Sequence, residues 1–530
     1  MSVVDEYRSI PRMALRSAER FGDGIAVLDG SVSMSFRELG DRMVEVGRSL
    51  VAGGVRPGDR VALWAPNSAA WISAALGIHA AGAWLVPLNT RFKGEEAAYV
   101  LAKTQARTLI CADGFLGADY VGMLRRADPS VPALADTVIL EGPAREGAIG
   151  WGDFVLRGHG VDPSAVSTRI DAIEPEDVCD VIFTSGTTGH PKGVMLRHGT
   201  SMRLYHDHYN EGWQLGAGDR ALIVPPFFHC FGYKAGWLLS LMVGATSVPV
   251  AVFDPGTALR VIEELSITHI GGAPTMFWSL LDHPDRPGRN LSSLRSAIAS
   301  AAYVPVELVQ RMRVELGVAN VMSGYGLTEA HALVSVSHRG DPPDTVADWS
   351  GQVLRGTEFR IVDDSGGDVP LGERGELLVR GFNLMSGYYE DPEATAAAID
   401  TAGWLHTGDI AYANADRYIK VCDRKKDMFI VNGFNVAPAE VEGLLVDWEK
   451  VAAAAVVGMA DRLLGEVAVA FIVPAAGVTL TPDDVVAYAR EHMANYKVPR
   501  RVDIVDALPL NATGKVLKAE LRSRLQESTA

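Results

Sequence analysis

The chain contains 530 residues, of which 48% are hydrophobic and 22% are charged, and its formal net charge at pH 7 is −16. That length is too great for one ordinary domain core, so we expect two or more domains. The negative charge argues against nucleic acid as a partner and favours small molecules. The four cysteines are far apart without a CxxC pair, and the N-terminus lacks a signal-peptide pattern. We therefore expect no disulfide framework, no structural zinc site and a cytoplasmic location.

Helical segments and short apolar strands alternate through the first half of the chain. The apolar spacing predicts a helix over Phe36–Ala52, with Ser35 as its N-cap and Glu38 completing a capping box. Two uncharged stretches, Ala69–Leu88 and Ala235–Phe253, are long enough to span a bilayer. Each contains glycine and proline, however, and indicates a buried helix followed by a buried strand. We expect an α/β domain with mostly parallel strands and no transmembrane segment, and contact with a membrane surface stays open.

The patterns change further along the chain. The stretch Gly142–Pro175 is polar and glycine-rich, and we expect it to wrap the surface. From about Val353, short strands separated by turn residues predict a small antiparallel β-subdomain. A charged run at Asp423–Asp427 marks a boundary, beyond which an independent α+β pattern predicts a small mobile domain. The predicted fold is a large N-terminal domain of mixed α/β sheets, 1–423, and a small C-terminal domain, 424–530.

One segment, Thr184–Gly193 (TSGTTGHPKG), combines glycines, hydroxyl side chains and a lysine between two apolar runs. Glycines let the backbone direct several N–H groups to one point, and Lys192 adds a mobile positive charge. Such a loop suits a polyphosphate. It is not the Walker pattern, because a glycine follows Lys192. An ordinary surface loop is the alternative that composition alone leaves open.

Five more blocks follow this loop in a fixed order. They are PPFFHCFG at 225–232, GYGLTE at 324–329, WLHTGD at 404–409, DRKKD at 423–427 and PLNATGK at 509–515. Together the six blocks resemble the adenylate-forming superfamily of acyl-CoA synthetases, peptide-synthetase adenylation domains and firefly luciferase. The resemblance covers nearly the whole chain. Any single block also fits a solvated loop or a core segment, and their order carries the resemblance.

The resemblance implies a two-step reaction that uses ATP, Mg²⁺ and coenzyme A. A carboxylate attacks the α-phosphorus of ATP, which gives an acyl-adenylate and pyrophosphate, and the thiol of coenzyme A then displaces AMP. Leu88–Lys93 and Phe227–Lys234 are most similar to actinobacterial fatty-acid-CoA ligases of the FadD group. Within that group we favour members that activate propionate side chains from steroid rings, with straight fatty acids nearly as well supported. The alternatives are a carrier-protein-loading adenylation enzyme, a luciferase-like oxidase and a non-catalytic nucleotide-binding protein.

The resemblance also implies roles for individual residues. Lys515 is expected to act in the first step, and Glu329 and Thr184 are expected at the metal. Lys426 is the expected hinge, and Gly433 and Phe434 the expected lining of the coenzyme A channel. The expected ATP- and AMP-binding residues are Thr184, Ser185, Gly186, Thr187, Thr188, Gly189, Lys192, Ser300, Ala301, Ala302, Gly324, Tyr325, Gly326, Thr328, Asp409 and Arg424.

His229 bears on the substrate. Peptide-synthetase adenylation domains usually carry aspartate at the matching position, where it pairs with the amino group of an amino acid. Histidine supplies no such counter-charge, so the resemblance disfavours amino acids and implies that His229 orients the carboxylate or gates the acyl pocket; a packed core histidine is the alternative. We expect Phe228, His229, Tyr233 and Trp237 to line that pocket, which predicts a hydrophobic acid. The oligomeric state stays open, although homodimers are common among such enzymes.

Overall fold

Two mainly parallel β-sheets form the large N-terminal part of the protein. The computed structural model describes residues 2–127, 134–143, 145–184, 191–300, 304–425, 427–431, 434–461, 464–493, 495–511 and 514–527. Within these residues the first sheet has the strand order Gly387–Tyr388, Lys192–Arg197, Val178–Thr184, Trp84–Pro87, Arg60–Trp64, Thr108–Ala112, Asp136–Glu141 and Ile149–Gly150. The second has the order Asn320–Met322, Ser296–Ala299, His269–Gly272, Arg220–Ile223, Thr246–Pro249, Ile25–Asp29 and Val32–Ser35.

The antiparallel pairs of these sheets lie at their edges. Strand Lys192–Arg197 runs antiparallel to Val178–Thr184, so residues 184 and 192 face each other where the sequence predicted a phosphate loop. Gly387–Tyr388 adds a further antiparallel strand beside Lys192–Arg197. This edge therefore brings the two ends of the loop next to a segment from residues 387–388.

Helices cover the faces of both sheets. Ala69–Ala80 contacts strands of both sheets, and nearly all its residues are buried. Phe231–Val243 begins with a π-helical part, Phe231–Leu238, and ends at Gly244, whose φ of 80° suits glycine. Both apolar stretches are thus a helix followed by a strand, as predicted. The other α-helices of this part are Val3–Tyr7, Ile10–Phe21, Phe36–Ala52, Gly94–Thr104, Tyr120–Ala127, Trp151–Arg157, Pro163–Ala172, His198–Arg203, Asn210–Trp213, Pro255–Glu264, Pro274–Leu281, Val306–Glu315, Pro343–Asp348 and Pro392–Ala398, and a further π-helix spans Leu204–Tyr209.

Helix Phe36–Ala52 shows how local sequence sets an element boundary. The Ser35 hydroxyl accepts the backbone N–H of Glu38 at 3.2 Å, and the Glu38 carboxylate accepts the backbone N–H of Ser35 at 2.8 Å. This is the predicted capping box, and it satisfies two N–H groups that would otherwise lack partners. Across the described ranges we find no helix with both the length and the apolar character to cross a membrane.

The stretch Gly142–Pro175 differs from the prediction of a surface-wrapping segment. It contains helices Trp151–Arg157 and Pro163–Ala172, which pack on Phe36–Ala52. Phe154 and Val166 are fully buried in this contact. The second helix is capped by the Asp162 carboxylate, which accepts the N–H of Ser164 at 2.8 Å, and a proline follows at its first position.

The later part of the chain has the predicted antiparallel sheets. One sheet has the order Thr357–Val362, Gly375–Gly381, Leu405–Ala413 and Ile419–Arg424, and a small one joins Gly324–Tyr325, Ser335–Val336 and Gln352–Val353. The C-terminal part has the order Phe434–Val436, Phe429–Val431, Gly465–Pro474 and Val451–Asp461, with Arg501–Ile504 parallel to Gly465–Pro474. Its helices are Pro438–Val446, Pro482–His492 and Lys518–Glu527. The α/β fold with a β-subdomain and a small α+β C-terminal part is confirmed, and the boundary at 423/424 stays a prediction.

Candidate active site

Four of the sequence blocks meet in one cleft between the antiparallel sheets and the edge of the first sheet. The cleft has a volume of about 1000 Å³, including its open mouth. Its lining residues are Leu327, Glu329, Glu376, Tyr388, Leu405, His406, Thr407, Gly408, Arg424 and Lys425. The structure thus brings together the blocks at 324–329, 404–409 and 423–427, and the C-terminal tip approaches them as described below.

Asp409 is the buried carboxylate of this cleft. Its side chain is only 3% exposed, and it accepts hydrogen bonds from the Tyr325 hydroxyl and from Arg424 Nε, the latter at 2.7 Å. Asp409 and Arg424 also lie opposite each other on neighbouring strands. Burial raises the pKa of Asp409, and the positive charge of Arg424 offsets part of that rise. The arrangement holds a negative charge in a fixed position, which suits recognition of sugar hydroxyls.

The segment around Tyr325 is held by close backbone packing. Ser300 Oγ donates to the carbonyl oxygen of Gly324 at 2.7 Å, which ties the end of strand Ser296–Ala299 to this segment. A Cβ atom at Gly326 would lie 2.2 Å from the carbonyl of Ala332, so only glycine fits there. Thr328 follows in a short 3₁₀ turn and is buried. The block therefore has little freedom to move its side chains out of the cleft.

A tyrosine joins the edge strand Lys192–Arg197 to the acidic side of the cleft. The Lys192 ammonium lies 4.9 Å from the ring centre of Tyr388. The Tyr388 hydroxyl donates to Glu329 Oε1 at 2.8 Å. Thr184 pairs with Lys192 across the two edge strands. Tyr388, a residue that the sequence analysis missed, thus contacts both Lys192 and Glu329, and Thr184 lies opposite Lys192.

The cleft offers oxygen ligands for a divalent cation. Among the described residues there is no cluster of three or more histidine, cysteine, aspartate or glutamate side chains. Glu329 and the hydroxyl of Thr184 are hard oxygen donors, which fit Mg²⁺ bound mainly through substrate phosphates. When bound there, Mg²⁺ would neutralise phosphate charge. The protein's own contribution is to hold the Glu329 carboxylate in place through Tyr388.

The tip of the C-terminal part carries Lys515 into the cleft. The Asn511 side-chain oxygen accepts the Lys515 backbone N–H at 2.9 Å, and Gly514 has a φ of 83° that favours glycine. A Cβ on Gly514 would lie 3.4 Å from Ala273 of the large domain, so the tip sits against that domain. Burial and the charge of Arg424 lower the pKa of Lys515, and Asp409 opposes that effect.

His229 lies within range of the charge of Lys515. Burial, together with the positive charge of Lys515, lowers the pKa of His229 to about 4. The imidazole is therefore neutral at pH 7 and carries both a donor and an acceptor nitrogen. A neutral imidazole beside a lysine ammonium can receive a carboxylate through one hydrogen bond and one charge.

Some predicted residues lie outside the described residues. They are Ser185, Gly186, Thr187, Thr188, Gly189, Ala301, Ala302, Lys426 and Gly433. For Phe434 only the backbone is described, and it pairs with Val431 on the adjacent strand.

The predicted acyl-pocket residues occupy two different places. The rings of Tyr233 and Trp237 stack with centres 4.8 Å apart, and the Tyr233 hydroxyl hydrogen bonds to His79 Nε2 at 2.7 Å. Both side chains are fully buried in the core of the large domain, and Phe228 is 8% exposed. A narrow apolar cavity on the same helix is lined instead by Phe231, Ala235 and Gly236. Tyr233 and Trp237 therefore support this helix from the core and are absent from the lining of that cavity.

A buried ion pair connects this helix with strand Val178–Thr184. Lys234 Nζ lies 2.8 Å from Asp180 Oδ2 and donates to Ser201 Oγ at 2.6 Å. Both charged side chains are fully buried. Burial opposes the charge on Lys234, but Asp180 raises its pKa above the ordinary value, so the lysine stays protonated. Asp180 is four residues before Thr184, and Lys234 is five residues after His229.

Comparisons with known proteins agree with this geometry. The family model described as AMP-binding enzyme matches residues 15–389, and the model described as AMP-binding enzyme C-terminal domain matches residues 440–515. The chain is 45% identical over 523 residues to the 3-[(3aS,4S,7aS)-7a-methyl-1,5-dioxo-octahydro-1H-inden-4-yl]propanoyl:CoA ligase of Rhodococcus jostii, covering 98% of this chain and 99% of the relative. It is also 45% identical over 520 residues to the protein of the same name from Mycobacterium tuberculosis, with coverage of 98% and 99%. The solved structure of the anthranilate CoA ligase AuaEII with anthranoyl-AMP matches with a TM-score of 0.91 at 28% identity, covering 100% of both chains.

The chain belongs to the AMP-binding enzyme family of adenylate-forming proteins. It is an ATP-dependent, AMP-forming acyl-CoA synthetase, an acid–thiol ligase that adenylates a carboxylic acid and transfers the acyl group to coenzyme A.

Proposed function

We propose that this ligase activates a propanoic acid attached to a bicyclic ring system that carries ketones. The observation that carries the proposal is the 45% identity, over 98% of the chain, to two ligases named for such an acyl group. This is the steroid-derived class favoured in the sequence analysis, and a straight-chain fatty acid is the competing substrate.

The contacts of the cleft support a separate role for each of its residues. Lys515 stabilises the negative charge that develops as the acid attacks, and His229 orients the carboxylate. Asp409, held by Tyr325 and Arg424, binds the ribose. Tyr325 also offers its ring to adenine, with Ser300, Gly324, Gly326 and Thr328 shaping that end of the site.

The phosphate end of the nucleotide is assigned to the edge strands. Lys192 and the loop from Thr184 to Gly189 bind the departing phosphates, and Glu329 with Thr184 holds Mg²⁺. Because Lys515 lies beside Asp409, the domain arrangement fits the first step. For the second step we assign Lys426 to the hinge and Gly433 and Phe434 to the coenzyme A channel.

A substrate panel tests the proposal. Purified protein with ATP, MgCl₂ and coenzyme A is given the dioxo-octahydroindenyl propanoate, octanoate or ferulate, and AMP release and acyl-CoA mass are measured. The ring acid should have the highest kcat/KM, and EDTA should abolish the reaction. A tenfold preference for octanoate would contradict the ring-acid assignment. Rapid pyrophosphate release without acyl-CoA would instead point to a carrier protein as acceptor.

Two properties of the whole molecule stay proposals as well. ATP and coenzyme A are supplied in the cytoplasm, where we place the enzyme. We also propose a homodimer, which sedimentation analysis of the purified protein would test.

A further inference from the structure

Tyr388 is held in place by hydrogen bonds of the backbone around it. Its strand pairs with the edge strand Lys192–Arg197, and its own N–H donates to Thr395 Oγ1 at 2.9 Å. Three residues earlier, the N–H of Met385 donates to the carbonyl oxygen of Glu329 at 2.8 Å. Tyr388 itself is 9% exposed. The backbone therefore fixes where this side chain lies relative to Glu329 and to the edge strand.

The side chain of Tyr388 contacts two groups of opposite charge. The face of its ring attracts the Lys192 ammonium, which lies 4.9 Å from the ring centre. Its hydroxyl lies 2.8 Å from Glu329 Oε1. An ionised carboxylate has no proton to donate, so the hydroxyl is the donor in this contact. Hydrogen bonds to a charged acceptor are stronger than neutral ones, and this one therefore sets the orientation of the carboxylate.

Glu329 and Lys192 form no ion pair with each other, although both are described in the structure and both contact Tyr388. A direct pair would occupy the two groups that are assigned to the metal and to the departing phosphates. Glu329 instead has a neutral partner, and Glu329 and Tyr388 both line the cleft. A neutral donor orients the carboxylate and leaves its negative charge available to a cation.

We propose that Tyr388 is a positioning residue that holds the Glu329 carboxylate in the orientation in which it binds Mg²⁺ on ATP. The inference rests on the metal role proposed for Glu329 above and adds the residue on which that role depends. Tyr388 acts through Glu329 and not on the reacting atoms. Its hydroxyl should therefore matter for ATP that carries the metal and not for ATP without it, whereas a residue that only supports the fold would affect both.

Tyr388→Phe removes the hydroxyl and keeps the ring beside Lys192. Binding of ATP to the purified full-length chain is measured by calorimetry with excess MgCl₂ and again with EDTA, and the ratio of the two affinities gives the contribution of the metal. The variant should lower this ratio about tenfold, as expected for the loss of one hydrogen bond to a charged group, and should keep the affinity in EDTA. Equal weakening in both conditions, or no change in either, would overturn the assignment.

Tyr389→Phe is the matched control, because it removes a hydroxyl from the next residue, whose ring lies against Arg60 and Trp84. It should leave the affinity ratio unchanged. A loss as large as that of Tyr388→Phe would assign the effect to the strand and overturn the role of the Tyr388 hydroxyl.

Glu329→Gln separates the positioning role from the metal role. If this variant keeps the wild-type affinity ratio, the metal role proposed for Glu329 fails. If it lowers the ratio but Tyr388→Phe does not, the positioning role is overturned while the metal role stands. Adding Tyr388→Phe to Glu329→Gln should lower the ratio no further, and a further tenfold loss would show that Tyr388 does not act through Glu329.

Discussion

His198 gives a direct test of how the core holds its histidines neutral. The side chain is 3% exposed, and its Nδ1 accepts the backbone N–H of Ile10 at 3.3 Å. Burial and the nearby charge of Lys234 lower the pKa of His198 to about 3. The substitution His198→Asn places an amide oxygen near the position of Nδ1 and removes the titrating ring. It isolates the contribution of this histidine to the pH dependence of stability.

The direction of the pH dependence of stability follows from the lowered pKa of His198. The unfolded histidine, with a pKa of about 6.5, takes up its proton before the folded one, so stability is complete above pH 6.5 and is lost as the pH falls toward 3. At pH 5 the unfolded ring gains about 2.0 kcal/mol from protonation, against about 0.2 kcal/mol at pH 7. Acidification from pH 7 to pH 5 should therefore lower the free energy of unfolding of the wild-type protein by about 2 kcal/mol more than that of the variant.

Urea unfolding followed by tryptophan fluorescence measures this difference. The free energy of unfolding is determined for both proteins at pH 7 and pH 5, and the change in their difference is the reported quantity. Buried carboxylates titrate alike in both proteins, so their effects cancel. If the free energies of unfolding of the two proteins differ by the same amount at pH 7 and at pH 5, the conclusion that the core keeps His198 neutral is refuted.

Three substitutions test the cleft. Lys515→Ala should lower acid-dependent ATP–pyrophosphate exchange by about 10²–10³ and spare thioester formation from supplied acyl-adenylate; equal losses in both would contradict its role. Asp409→Asn leaves Arg424 without its charged partner and should weaken ATP binding at least about tenfold by calorimetry, with unchanged affinity arguing against the ribose assignment. Lys426→Pro should preserve the exchange reaction and abolish coenzyme A ligation, and normal ligation would exclude a hinge there.

Much of the fold could be predicted because local patterns and tertiary packing agree. The alternation of apolar strands and helices indicated two-sided burial, and the capping box at Ser35 fixed a helix start. The helices within Gly142–Pro175 were missed because glycine and charge content outweighed a short cap signal at Asp162. Composition averages over a window, whereas a cap acts at one residue.

The cleft was predictable where side-chain chemistry is concentrated in a short block, as at Asp409 and Lys515. Tyr388 was not predicted because it lies outside any such block. Only the pairing of its strand with the edge strand places it between Lys192 and Glu329. The cavity-facing side of the helix after His229 was also unpredictable from regular spacing. Phe231 and Ala235, which line the cavity, are four residues apart, as are the core residues Tyr233 and Trp237, so spacing groups each pair but does not say which pair meets the cavity.

The ion pair of Lys234 with Asp180 has a consequence for redesigning this enzyme. Replacing either residue alone would leave an unpaired charge in the core, at a cost of about 3–5 kcal/mol. The helix therefore has one anchored face and one adjustable face, which carries Phe231 and Ala235. Libraries that aim at new acids can vary Phe231 and Ala235 together with the side chains packed against them, whereas Lys234 and Asp180 have to be exchanged as a pair. Acid selectivity can then be altered while strand Val178–Thr184 keeps its place.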